Sequence, residues 1–154
     1  MIWRKKTPSF IGVCVFDDHL EFSCTKEEDA DYNVRTEMVL LPGSQIVNGL
    51  IYNRALIGEH IARFIHSFHY PFIVLSVNDR LIYHDSLQQK NLTAQHNFHF
   101  FLLIIENNLN CSLITTHDRA KELAQSRSFI HCDNAVVRAV GLYLLGKEYY
   151  EKNS

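Results

Sequence analysis

A single α/β domain built on a mixed sheet is the fold class this sequence predicts, and three segments predict it. Residues 10–25 read as two apolar strands around Asp17-Asp18, a β-hairpin start. Residues 54–69 carry one apolar stripe, and beyond Pro71 the β-branched run 72–77 suits a buried strand. Residues 134–149 are apolar around nearly the whole circumference of a helix, which must pack on a sheet or a partner. At 154 residues the chain, 1–154, is one compact domain large enough to bury a core.

The elements follow in order. A hairpin turning at Asp17-Asp18 sets residue 15 opposite 20 and 13 opposite 22. Ile11, Val13, Val15, Leu20, Phe22 and Cys24 then share one face and Cys14 lies on the other, which excludes a Cys14–Cys24 disulfide. The acidic, polar stretch 26–33 reads as a loop. Residues 34–41 alternate, with Val34, Thr36, Met38 and Leu40 against Arg35 and Glu37, and make a third strand ended by the Pro42-Gly43-Ser44 turn. A short extended piece over 46–52 leads to Asn53, a good N-cap. In helix 54–69, Ile57, Ile61, Phe64, Ile65 and Phe68 form the stripe, and Glu59 and Arg63 pair four residues apart on the far side. Further strands are predicted at 72–77, 81–87 and 98–105, with a polar loop over 88–97. A turn at Asn107-Asn108 leads into 111–115 as a second hairpin. Thr115-x-x-Asp118 resembles a capping box that opens a helix to about Ser126. In the closing helix, Gly141 permits close backbone approach at a cost of ~1 kcal/mol in helix propensity.

Composition narrows the function classes. A hydrophobic content of 47% with 21% charged residues argues against disorder. A net charge of −2 argues against a nucleic-acid partner, which would call for a basic excess; Arg4-Lys5-Lys6 is the one basic cluster. No apolar run approaches the roughly 18 residues of a membrane span, and Met1-Ile2-Trp3-Arg4 has no signal-peptide core. The expectation is a cytosolic protein without direct membrane insertion, peripheral at a membrane only through a partner. Cys14, Cys24, Cys111 and Cys132 show neither CxxC nor zinc spacing, so reduced, mostly buried thiols are expected.

Residues 11–16, Ile-Gly-Val-Cys-Val-Phe, resemble the first strand of the actin-like (RNase H-like) fold, written I-G-I-D-I-G, with two changes. Cys14 stands where that pattern has the acidic residue that organises a metal ion. Phe16 stands where it has the glycine that lets backbone approach phosphate. A phosphate loop needs open N–H groups with room beside them; Phe16 fills the room, and Asp17 and Asp18 repel an anion. Cys14, Phe16, Asp17 and Asp18 therefore mark a degenerate phosphate-loop position, and no cofactor, metal or catalytic residue is expected.

Three segments in order, PSFIGVCVFDDHLEFSC, GSQIVNGLIYNRALIGEHIARFI and NAVVRAVGLYLLGK, resemble the PilM family of type IV pilus and competence machines. Ala139-Val140-Gly141-Leu142 and Gly146 are similar to that family's closing helix. The resemblance covers about half the chain. It implies an actin-like domain reduced in size, since typical members carry two subdomains around an ATP cleft. It also implies a non-enzymatic scaffold of a pilus, competence or type II secretion-like machine, which binds the cytosolic tail of a PilN-like inner-membrane protein.

Rival chemistries are weaker. Of the nine histidines, His66 and His69 sit three apart at the end of a helix, and His96 and His99 flank a strand start. A zinc site needs more ligands and a fixed outer shell, so capping and surface roles are expected for these. A metal-dependent RNase H-like nuclease or resolvase is the alternative function. It would need a carboxylate cluster, whose first member falls on Cys14; Asp17, Asp18, Asp79 and Asp85 all lie near predicted turns. For a cysteine nucleophile, no neighbouring base or cation is visible in the sequence.

Overall fold

The computed structural model describes residues 7–43, 45–47, 50–51, 53–77 and 111–152. Strands β1 (Ser9–Val15), β2 (His19–Glu28) and β3 (Asp31–Leu40) form an antiparallel meander. The short β4 (Ile46–Val47) and β5 (Leu50–Ile51) pair with each other and lead to helix α1 (Arg54–Ile65). Strand β6 (Pro71–Val77) lies parallel to β1, and β7 (Cys111–Thr116) parallel to β6. Helices α2 (His117–Ser126) and α3 (Asn134–Lys152) close the chain. The five-stranded order is β3-β2-β1-β6-β7.

Alternation splits the sheet into two unlike faces. Ile11, Val13, Val15, Leu20, Phe22, Ile73, Leu75 and Ile114 pack with Ile57 and Ile61 of α1 as an apolar, mostly aliphatic layer. On the other face, Phe10, Cys14, Phe72 and Val74 meet Leu142 of α3 and Ala120 of α2. Close helix approach there relies on glycine. A Cβ on Gly141 would overlap the Ala120 carbonyl, and one on Gly12 would meet Ser23 and Leu142.

The hairpin register is as the alternation requires: Val15 faces Leu20, Val13 faces Phe22, and Cys14 faces Glu21. Asn53 caps α1 by accepting from Leu56 N (3.1 Å), and Arg63 reaches Glu59 at 2.8 Å. The closing helix is core, with Val137, Val140 and Leu142 buried.

Several boundaries differ from expectation. The 26–33 stretch is no loop but the end of β2, a two-residue turn and the start of β3. Asp29 (φ 49°) and Ala30 (φ 66°) both take the left-handed conformation that such a hairpin turn demands. Helix α1 stops at Ile65, with His66 as C-cap and His69 beyond it, because 66–70 reverse the chain so that Pro71 can enter β6 beside Ser9. The N-cap of α2 is Thr116, which accepts from Arg119 N at 3.0 Å; Thr115 is instead buried in β7. The 46–52 piece is a two-stranded ladder. Cys14 and Cys24 are buried free thiols, but Cys132 is exposed. The strands expected at 81–87 and 98–105, the loop 88–97, the Asn107-Asn108 turn, His96, His99, Asp79 and Asp85 lie outside the described residues.

Candidate functional site

In an open α/β sheet, ligands gather outside the carboxyl ends of parallel strands. In this sheet those ends belong to β1 and β6, with α2 starting directly after β7. One row crosses the whole sheet there: Met38, Glu21, Cys14, Ser76 and Thr115 are successive cross-strand partners. All five lie on the α3 face, and from Glu21 to Thr115 the row places four polar or thiol side chains side by side.

Hydrogen bonds tie the row together. Ser76, fully buried, lies 2.7 Å from His117 Nδ1, and His117 Nε2 lies 3.2 Å from the Val15 carbonyl. A carbonyl only accepts, so Nε2 carries the proton and Nδ1 accepts from the Ser76 hydroxyl. Burial first, and the Arg138 charge second, lower the His117 pKa to about 4, so the ring is neutral. Cys14 bonds Ser76 and Arg138, yet burial dominates and pushes its thiol up to about 12. Arg138, from α3, makes a two-pronged pair with Glu21: Nε to Oε1 at 3.1 Å and Nη2 to Oε2 at 2.6 Å. Thr115 is buried beside Ser76, and its hydroxyl has no hydrogen-bond partner among the described residues.

Phe16 closes the strand end. Its ring stacks between His19 (4.4 Å between centroids) and His117 (4.3 Å), and the Arg138 guanidinium sits 5.1 Å from its centre. His19 sets Nδ1 at 2.6 Å from Asp18 and Nε2 at 3.5 Å from Glu21; the bond from His19 holds the exposed Asp18 carboxyl below its ordinary value. Asp17 and Asp18 are exposed in the turn. A cavity of about 230 Å³ opens beside the row, lined by Cys14, Glu21, Ser23, Thr36, Met38, Ala135 and Ala139 among others.

The chemistry of this arrangement is limited. A Ser–His pair is a possible nucleophile and base, but Ser76 is sealed and a ring that protonates only near pH 4 is a weak base. A Cys14 thiol that ionises near pH 12 is no nucleophile at neutral pH. The metal ions of an RNase H-like nuclease do not fit these residues. Cys14 replaces a carboxylate, Glu21 is neutralised by Arg138, and both His117 nitrogens are engaged. Among the described residues no three His, Cys, Asp or Glu side chains converge as a ligand set.

Of the four residues singled out by sequence, the structure brings Cys14 and Phe16 into this cluster and leaves Asp17 and Asp18 at its rim. Sequence reasoning missed Ser76, His117, Glu21 and Arg138. Arg138 carried a signal: it is the one charge within the apolar stretch 135–146, and a charge inside a buried helix demands a partner.

No protein-family model matches the chain, and no curated protein matches it. Solved structures do. RuvC of Thermus thermophilus, in complex with a Holliday junction substrate, superposes with a TM-score of 0.53 at 12% identity, over 93% of this chain and 95% of that one. The ethanolamine utilization protein EutJ of Carboxydothermus hydrogenoformans gives 0.46 at 9% identity, over 79% of this chain. The PPX-GPPA enzyme of Aquifex aeolicus gives 0.43 at 7%, also over 79%. The chain spans only 41% and 40% of the lengths of the latter two. The likeness to RuvC shows the fold: a mixed α/β sheet of RNase H-like type with packed helices.

Proposed function

We propose that this chain is a non-enzymatic, protein-binding domain in which an RNase H-like scaffold has lost its strand-end chemistry. The observation that carries the reading is Phe16, stacked between His19 and His117 over a strand end where Ser76 is paired with His117 and Glu21 with Arg138. The Phe16 N–H is already bonded to the His19 carbonyl, and the Glu21 carboxylate is held by Arg138. The finer reading is a cytosolic assembly protein of a type IV pilus, competence or type II secretion-like machine, holding the tail of a PilN-like inner-membrane protein. It is supported by the three PilM-like segments, two of which form the hairpin start and the closing helix. No helix among the described residues is long and apolar enough to cross a membrane.

A nuclease or resolvase is the second reading, favoured by the near-complete overlap in length with RuvC. One set of measurements separates them. Calorimetry with ATP and Mg²⁺ is expected to give no heat up to millimolar ligand, and a four-way junction incubated with Mg²⁺ or Mn²⁺ is expected to stay intact. A synthetic PilN-like tail peptide is expected to bind saturably. Saturable ATP binding, or cleavage lost in His117→Ala, would overturn the non-enzymatic reading; an inert peptide would remove the pilus assignment alone.

A further inference from the structure

Among the described residues strand β3 is the outer strand of the sheet, and its outer edge is unusual for its regularity. It pairs with β2 over ten consecutive residues without a bulge, and it contains no proline or lysine. Those are the devices that normally keep an edge from pairing. Met38 and Leu40 on it are 61% and 73% exposed.

The phase of its hydrogen bonds follows from the ladder. Leu41 N donates to Asp18 O at 2.9 Å, and bonded pairs recur every second residue in an antiparallel ladder. The odd-numbered residues of β3 therefore bond to β2. The N–H and C=O groups of Tyr32, Val34, Thr36, Met38 and Leu40 point outward.

We propose that β3 pairs with β3 of a second copy of this chain, antiparallel, across a two-fold axis at Thr36. In that register Thr36 meets its own counterpart, Val34 meets Met38, and Tyr32 meets Leu40. These are the hydrogen-bonded pairs, and they cover both exposed apolar side chains. On the opposite face Arg35 meets Glu37 twice, in the non-bonded pairs where side chains approach most closely. Moving the axis by one residue sets Arg35 against Arg35 or Glu37 against Glu37. Charge thus selects one register and opposes its neighbours. The two sheets join into one, and the interface is isologous, as a two-fold dimer requires. The inference is independent of the non-enzymatic reading.

Sedimentation equilibrium of the full chain up to about 100 µM is expected to show a reversible dimer. Glu37→Arg, and separately Thr36→Pro, should weaken association by about tenfold or more with unchanged circular dichroism, since the Thr36 N–H faces away from β2. Arg35→Glu combined with Glu37→Arg should restore it. Amide exchange of the unaltered chain supplies a second readout. The N–H groups of residues 34, 36, 38 and 40 should be protected at high concentration and exchange freely on dilution, whereas that of Tyr32 is already held by the Asp31 carboxylate at 2.8 Å. A chain that stays monomeric with these amides always open would overturn the proposal and leave the edge to another partner. So would a dimer that none of the changes weakens.

Discussion

The two faces of the central sheet are built by the same strands and do opposite things. The α1 face is apolar and mostly aliphatic, with Ile11, Val13, Leu20, Ile57, Ile61, Ile73 and Leu75 each fully buried. The α3 face buries apolar groups too, but the row Glu21–Cys14–Ser76–Thr115 runs through it, and His117 and Arg138 come down from the helices to meet it. A dry face needs only volume and alternation, and many sequences satisfy it. A polar row in a buried layer needs a partner for each group, or the desolvation cost of 1–3 kcal/mol per group goes uncompensated. In this chain Glu21, Cys14 and Ser76 find their partners in Arg138 and His117, and Thr115 at the end of the row is the exception, its buried hydroxyl lacking a partner among the described residues.

The comparison can be broken at several strengths. The largest effect is expected where α3 covers the polar face. Val140 is fully buried, so Val140→Asp places an unpaired carboxylate in the core and costs several kcal/mol against a total of ~5–15. Soluble expression should collapse, and an unchanged melting temperature would show that α3 is peripheral. Next, Arg138→Met strands Glu21 and should cost about 2–3 kcal/mol in urea unfolding, allowing for the residual 15% exposure of both side chains. Adding Glu21→Leu should recover most of that loss, because a well-packed apolar pair is a fair substitute for a buried ion pair.

The third effect is a pH dependence confined to the polar face. His117 has its folded pKa depressed to about 4 from 6.5. Its contribution is therefore present above pH 6.5 and lost as pH falls from there toward 4, since the unfolded chain binds the proton more readily. Between pH 7 and pH 5 the loss should be roughly 2 kcal/mol, and His117→Gln should remove most of that slope. The smallest effect sharpens the contrast from the other side. Ile61→Val on α1 should cost about 1 kcal/mol, the same at pH 7 and pH 5.

The difference between the faces also governs what could be read from sequence. Alternation and helical periodicity located β1, β2, α1, β6 and α3, because burial of aliphatic groups leaves a regular trace. The β2–β3 hairpin was hidden, because its turn is Asp29-Ala30 and not the Asn-Gly pair that the left-handed conformation favours. The Thr115-for-Thr116 error has the same root: two adjacent threonines offer the same cap, and only the register of β7 decides which one is buried. Of the candidate site, Cys14 and Phe16 were visible because they interrupt a known strand pattern. Ser76 and His117 were not, since their meeting depends on parallel pairing of strands far apart in sequence. Glu21 was hidden for the same reason, its partner being 117 residues away.

The central claim is that the strand-end cluster is closed to ligands, and manganese tests it most directly. Mn²⁺ added to millimolar concentration should broaden the amide resonances of Cys14, Ser76 and His117 no more than those of the α1 face. Selective, saturable broadening of those three residues would mean that a metal ion enters the cluster, and it would contradict the account.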